Sequence, residues 1–358
     1  MIINKMNKYA EEACFYHDLA GIAIGVSIGS NSPLKHNGLE YEFATGYKNY
    51  VSGEKLENNT IFHVASVTKL FVGTSIMLLA EKGLINLDST INEVLPWFEM
   101  HDTRYKAITV RHLLAHTAGL GDVTDYGWDR PELDVEALKR YVCSEEVKSS
   151  GLLWHPSENK FSYSNMGYEI LGTIIAEVSG VSFEEFVTEN ILNIVGMNDS
   201  TLLTFKRAEG SLDLQDLDAV GLAMPHKKDT ENHIVLENQY PYNRAHGPSS
   251  TLTTNLSDLT KWAKAHLNKS LLKDSSYHEV WLPQSVVPNN GERIGLSWFI
   301  REQNGYTLYG HEGNDDGFRA SFWICPELDM HIAVTANISK APVKKISKRI
   351  FDMITCEE

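Results

Sequence analysis

Phe62-His63-Val64-Ala65-Ser66-Val67-Thr68-Lys69-Leu70-Phe71 joins a strand-like Thr60-Ile61-Phe62 to an apolar run from Leu70 to Ala80. That run reads as a buried helix ending near Gly83, and Ser66 falls where it would begin. Lys69 follows three positions on, and residues i and i+3 share a helix face. The ammonium and the hydroxyl then meet without help from a loop. Free N–H groups at a helix start, and the dipole behind them, favour negative charge there. A serine oxygen that must become an alkoxide, beside a lysine able to take its proton, suits that place. The same serine would also serve as an ordinary N-cap. The pattern Ser-x-x-Lys does not choose between these, since it also begins at Ser32, Ser52, Ser157 and Ser270. Of these serines only Ser66 heads a buried helix.

Around this helix the chain divides into three parts. Before it, Asn4 to Tyr16 reads as a helix, and Gly21 to Gly29 and Leu39 to Tyr47 as a hairpin of strands. From Leu87 to about Val195 helix signals dominate. Thr109 opens a helix to His116, Leu133 to Val147 is amphipathic, and Ser164 to Val178 is closed by Gly180. Ser182 and Glu185 have the spacing of a capping box. Asp199 to Leu236 is polar and unassigned. Ser249 to Thr253 reads as a short strand, and Ser257 as the cap of a helix to Leu267. Beyond Arg293 the period is that of strands: Ile294 to Arg301, Tyr306 to Tyr309, Arg319 to Ile324 and His331 to Ala336. A helix from Pro342 through Ile354 closes the chain.

The expected fold is α/β of the α+β type. An antiparallel sheet is built from both chain ends with flanking helices, and a mostly helical lobe is inserted. The expected division is a sheet-bearing lobe at about 1–65 and 245–358 and a helical lobe at about 66–244, in one domain spanning 1–358. Ligand sites favour such boundaries.

The chain has 358 residues and a formal charge of -15, a poor match to a phosphate backbone, so nucleic acid is not an expected partner. No apolar run reaches the roughly 18 residues of a membrane span, and the start lacks a signal-peptide core. The four cysteines are scattered, which fits reduced thiols. These features give the expectation of a cytoplasmic protein without a membrane partner. They leave the oligomeric state open. His112 and His116 have the spacing of a zinc helix, but Leu113 stands where a metalloprotease needs glutamate. Gly25-Val26-Ser27-Ile28-Gly29 matches a nucleophile elbow, but a turn and another strand follow where a helix is required. Neither a metal nor a cofactor is expected.

Two further clusters carry chemistry. Phe161-Ser162-Tyr163-Ser164-Asn165 precedes a long helix, and Tyr309 to Gly317 contains His311-Glu312-Gly313-Asn314. Tyr163 offers an exchangeable phenol proton, Asn165 a donor and an acceptor, and His311 a donor or general acid. Gly313 lets a substrate lie close to the strand backbone.

Taken in order, the Ser66–Lys69, Tyr163–Asn165 and His311–Gly313 motifs resemble those of the serine β-lactamase and penicillin-binding-protein group. The nearest branch holds class C β-lactamases, D-Ala-D-Ala carboxypeptidases, D-aminopeptidases and β-lactamase-like esterases. Asp88, Thr109 to Leu120, Thr251 to Trp262 and Gly310 to Asn337 resemble the group as well, so the likeness spans roughly residues 10 to 355. It implies a serine hydrolase working through an acyl-enzyme on Ser66. Lys69 and Tyr163 would handle the proton, with the base left open. Asn165, His311, Gly313 and Asn314 would bind substrate, and the N–H groups of Ser66 and Asn314 would form the oxyanion hole. Many members carry Lys-Thr-Gly where this chain has His311-Glu312-Gly313. A histidine lacks the permanent charge that holds a carboxylate. The expected substrate is therefore a small ester or amide, with an esterase or a D-amino-acid amidase or peptidase ahead of a β-lactamase or carboxypeptidase. Glu312, Asp315 and Asp316 would either meet a substrate amine or lie solvated. The rival of another class is a non-catalytic acyl-binding sensor or scaffold.

Overall fold

A computed structural model describes residues 2–288 and 291–356. Its strands are β1 Gly21–Ile28, β2 Glu40–Asn49, β3 Glu54–Lys55, β4 Phe62–His63, β5 His226–Lys228, β6 Ile234–Leu236, β7 Thr253–Thr254, β8 Ser285–Val286, β9 Arg293–Ile294, β10 Phe299–Gln303, β11 Tyr306–Asp315, β12 Phe318–Cys325 and β13 Met330–Ala336. Nine of them form one sheet in the order β3-β2-β1-β13-β12-β11-β10-β9-β8. The pairs are antiparallel. β1 lies against β13 from Ile22 opposite Ala336 to Ile28 opposite Met330, so the two chain ends close a single sheet, as expected.

Every residue of β1 is buried, which explains its run of small and β-branched side chains without alternation. Ile22, Ile24 and Val26 pack under the terminal helices Ile2–Tyr16 and Val343–Thr355. Ala23 faces the other way, into a core that also holds Leu70, Ile170 and Ala320. That second core runs from the sheet into the inserted helices. Between β4 and β7 the regular elements are helices joined by loops, apart from the β5–β6 hairpin, which falls in the unassigned Asp199 to Leu236 stretch. No described helix is long and apolar enough to cross a membrane.

Several expectations need correction. Ser249 to Thr253 is not one strand: Gly247–Ser250 is a helical turn, with Pro248 in its first turn, and only Thr253–Thr254 is extended. The Leu256–Leu267 helix is capped by Asn255, which accepts from the Asp258 N–H, so Ser257 lies inside it. Leu133 to Val147 breaks into Ala137–Val142 and Glu145–Ser149, because the Ser144 side chain caps a new helix. Ile294 to Arg301 splits into β9 and β10 around Ser297, whose φ is 71°. His311 to Asp315 is no connection between strands. It is the outer half of β11, beyond the last residue that β10 pairs.

Candidate active site

The Ser66 turn is held from both sides. Val64 donates to the Leu252 carbonyl at 3.0 Å, and Thr68 Oγ1 donates to the Ala65 carbonyl at 2.6 Å while accepting from Leu252 N. Ala65 has φ 47°, a left-handed conformation that a residue with a Cβ adopts only when its surroundings enforce it. Ala65–Val67 is a single 3₁₀ turn, and the helix proper is Thr68–Glu81. Among the described residues no side chain caps either start. The N-cap reading of Ser66 therefore fails. Its half-buried hydroxyl instead meets Lys69 Nζ at 2.9 Å.

Lys69 is fully buried. Its ammonium makes two further bonds, to Asn165 Oδ1 at 2.6 Å and to the Ser249 carbonyl at 2.8 Å. Burial pushes its pKa down to about 8, while the charges of Glu169, Asp315 and Asp122 oppose the fall. Asn165 opens the Asn165–Ser179 helix, which Ser164 caps by accepting from Gly167 N and Gly180 ends at φ 77°. Tyr163 precedes that cap. Its phenol is bonded to Ser66, and burial holds its pKa well above the ordinary value. The Tyr163 ring stacks on His116, with centroids 4.3 Å apart, so His116 of the apparent zinc pair is a platform for the phenol. His112 bonds Thr109 instead. Ser27, of the elbow-like motif, is buried in β1 against His331 Nδ1 at 2.6 Å.

His311 lies opposite Tyr163, with ring centroids 6.1 Å apart. Its Nδ1 is 2.6 Å from the Glu312 carbonyl, which can only accept, so Nδ1 carries the proton. Nε2 is then a lone pair, buried and without a partner among the described residues. Burial and the Lys69 charge push the histidine down to about 3. The expected donor or general acid is thus a neutral ring with its one proton committed. Gly313 also differs from expectation. A Cβ there would meet the Val64 carbonyl oxygen at 2.2 Å, so its missing side chain admits the Ser66 segment.

The acidic neighbours are mostly engaged. Asp315 accepts from His63 Nε2 at 2.7 Å and from Ser250 Oγ. Glu312 accepts from Trp323 Nε1 at 2.8 Å, and burial raises its pKa. Asp316 alone of the three is exposed.

One cleft of about 370 Å³ gathers Ser66, Tyr163, Asn165, His311 and Asn314, with Tyr126, Phe299 and Trp323 as aromatic wall. Tyr126 comes from the loop at residues 122–131. No residue of 199–250 lines this cleft among the described residues. A larger surface hollow, between the helices near Val135 and Glu185, holds none of these groups.

Sequence reading missed Asp122 and Glu169. Asp122 Oδ1 accepts from Asn165 N at 2.7 Å and from Nδ2 at 3.1 Å. Glu169, one turn along the same helix, is fully buried. An acid flanked by apolar residues, Tyr168 before it and Ile170-Leu171 after it, was the available signal for Glu169. Asp122 carried none.

Comparison with known proteins adds the family. A model of the family described as Beta-lactamase matches residues 12–355. The chain belongs to that family. Protein flp of Staphylococcus aureus (strain MW2) is 27% identical over 313 residues, covering 85% of this chain and 58% of that protein. Penicillin-binding protein 4* of Bacillus subtilis (strain 168) is 27% identical over 291 residues, 78% of this chain and 61% of that one. The chain thus spans about three fifths of the length of these relatives. Among solved structures, the octameric penicillin-binding protein homologue from Pyrococcus abyssi superposes with a TM-score of 0.81 at 24% identity, covering 100% of this chain and 78% of that one. The D-amino acid amidase from Ochrobactrum anthropi SV3, complexed with L-phenylalanine, gives 0.79 at 17% identity, with 99% of each covered. These last two likenesses speak for the fold.

Proposed function

We propose that this member of the beta-lactamase family is a serine hydrolase that acylates Ser66 with a small ester or amide. The observation that carries the reading is the 2.9 Å contact of a fully buried Lys69 ammonium with the Ser66 hydroxyl. With a pKa near 8, Lys69 is within reach of its neutral form and is the base. Tyr163, held protonated by burial, gives its proton to the leaving group and takes back the one that Lys69 removed from Ser66. Ser66 oxygen attacks the carbonyl carbon, and its proton passes to Lys69. The oxygen that becomes negative lies against the N–H groups of Ser66 and Asn314, a type of contact worth roughly 3–4 kcal/mol each. The leaving group departs with a proton, and water then cleaves the acyl ester by the reverse path.

His311 bears on the substrate. A neutral ring gives no charged clamp for a carboxylate, and Lys344, the cation lining the cleft, is paired with Glu292 at 2.6 Å. An ester or an amide of an amino acid therefore fits better than a β-lactam or a C-terminal peptide. The aromatic wall favours an apolar acyl group.

The test sets p-nitrophenyl esters, D-aminoacyl p-nitroanilides and a chromogenic cephalosporin side by side. Sustained turnover of the first or second is expected, and Ser66→Ala should abolish it without changing the fold. Undiminished hydrolysis by that variant ends the proposal. A single stoichiometric burst from the native chain points instead to an acyl-binding sensor.

A further inference from the structure

Lys69 has a third partner that the Ser66 chemistry does not itself require. The Ser249 carbonyl accepts its proton at 2.8 Å, and Ser249 Oγ donates to Glu169 Oε1 at 2.6 Å. Glu169 is wholly buried, and its Oε2 has no partner among the described residues. It sits four residues after Asn165 on one helix, hence on the same face. That face therefore presents two groups to Lys69, Asn165 directly and Glu169 through Ser249. The Gly247–Ser250 turn is pressed onto this helix, since a Cβ on Gly172 would meet Pro248 Cγ at 2.0 Å. A carboxylate has no packing reason to occupy such a place, and a buried charge is costly unless it is answered. The answering groups are the Lys69 ammonium and, at 3.3 Å from Oε1, His246 Nδ1.

We infer that Glu169 is a positioning residue for the reaction at Ser66: it anchors Ser249 so that the carbonyl steers the Lys69 amine onto the Ser66 oxygen, and its charge governs when that amine becomes free. The inference rests on the reading of Ser66 as nucleophile and Lys69 as its base. The other groups facing Lys69 are Asp122 from its loop, Asp315 and His311 from β11, His116, and the Tyr163 and Tyr168 rings at 5.1 and 5.3 Å. Tyr126 and Tyr141 face Glu169 as well. Of the carboxylates that favour the protonated amine, Glu169 has the largest effect. Removing its charge lets Lys69 lose its proton at lower pH.

The experiment follows the rate at which a fluorophosphonate labels Ser66 between pH 5 and 10, a readout that needs no known substrate. Glu169→Gln keeps an acceptor for Ser249 and removes the charge. Its labelling curve should move toward lower pH by about one unit, with a plateau within several-fold of native. Ser249→Ala keeps the charge and cuts the anchor, so its plateau should fall about tenfold or more with the midpoint in place. A general loss of structure cannot separate midpoint from plateau in this way. An unmoved midpoint in Glu169→Gln overturns the inference. If that variant does not fold, a native plateau in Ser249→Ala overturns it. Labelling that persists in Ser66→Ala, or is missing from the native chain, removes the proposed function and the inference together. Labelling that depends on Ser66 but ignores Glu169 and Ser249 removes the inference alone.

Discussion

Asp122 determines which way round the Asn165 amide sits. A carboxylate can only accept, so the Asn165 Nδ2 group turns toward it, and Oδ1 is left facing Lys69. In Asp122→Asn the new amide can also donate, and the Asn165 amide loses one of the two groups that fix its orientation, leaving Lys69 alone. The flipped population would aim N–H groups at an ammonium. Ester hydrolysis should fall about 10–100-fold in kcat/KM, the scale of one charge-assisted bond, with little change in melting temperature. Native kcat/KM in this variant would show that the amide is oriented by something else. At this scale the sequence was uneven. Ser66, Lys69, Tyr163 and Asn165 were legible because two pairs lie within a helical turn of each other or beside a cap. Asp122 was not, because its partner is a chain segment 43 residues away and loops carry no period.

β11 and the Ser66 turn behave as one element, joined where Gly313 passes the Val64 carbonyl. In Gly313→Ala the new Cβ would also press Ala320 Cβ at 3.2 Å, so the strand cannot shift inward to make room. The turn must move instead, and with it Ser66. We expect Ser66 labelling to drop by two orders of magnitude or more, and stability to fall by about 1–3 kcal/mol, as for overpacking elsewhere. Labelling kinetics and urea unfolding measure the two separately, and native labelling would refute the coupling. Elements with a clear period were readable here: β1, β2, β12, β13 and the Asn165 helix lie within a residue or two of expectation. Those set by a local contest were not. Pro248 made a helical turn of an apparent strand, and Asn255 took the cap expected of Ser257. β11 was read short because Gly310, His311 and Gly313 are poor strand formers whose place is fixed by pairing with Trp323, Phe322 and Ala320.

The molecule buries several histidines, and this sets its response to acid. The closing of one sheet from both chain ends was legible, but the burial of these rings was not, since a histidine carries no mark of inside or outside. His266, His311 and His331 are each pushed down to about 3 by burial. The unfolded chain therefore takes up protons first, near pH 6.5, while the folded chain does not. The stability held above that pH is lost as pH falls through 6.5 toward 3. Each ring accounts for about 2 kcal/mol between pH 6.5 and 5, so three of them approach the whole stability of a typical domain. Urea unfolding should show a midpoint that drops steeply over that interval. His266 isolates the cause. Both of its nitrogens lack partners among the described residues, and it is enclosed by Trp262, Trp298 and Tyr277 at centroid distances of 4.2, 4.9 and 5.6 Å. His266→Phe keeps a flat ring in that cage and removes the proton acceptor. Its unfolding free energy should match or exceed native at pH 7.5, and its loss on going to pH 5 should be smaller by about 2 kcal/mol. An identical loss in both proteins would mean that the acid response arises from carboxylates and not from the buried rings.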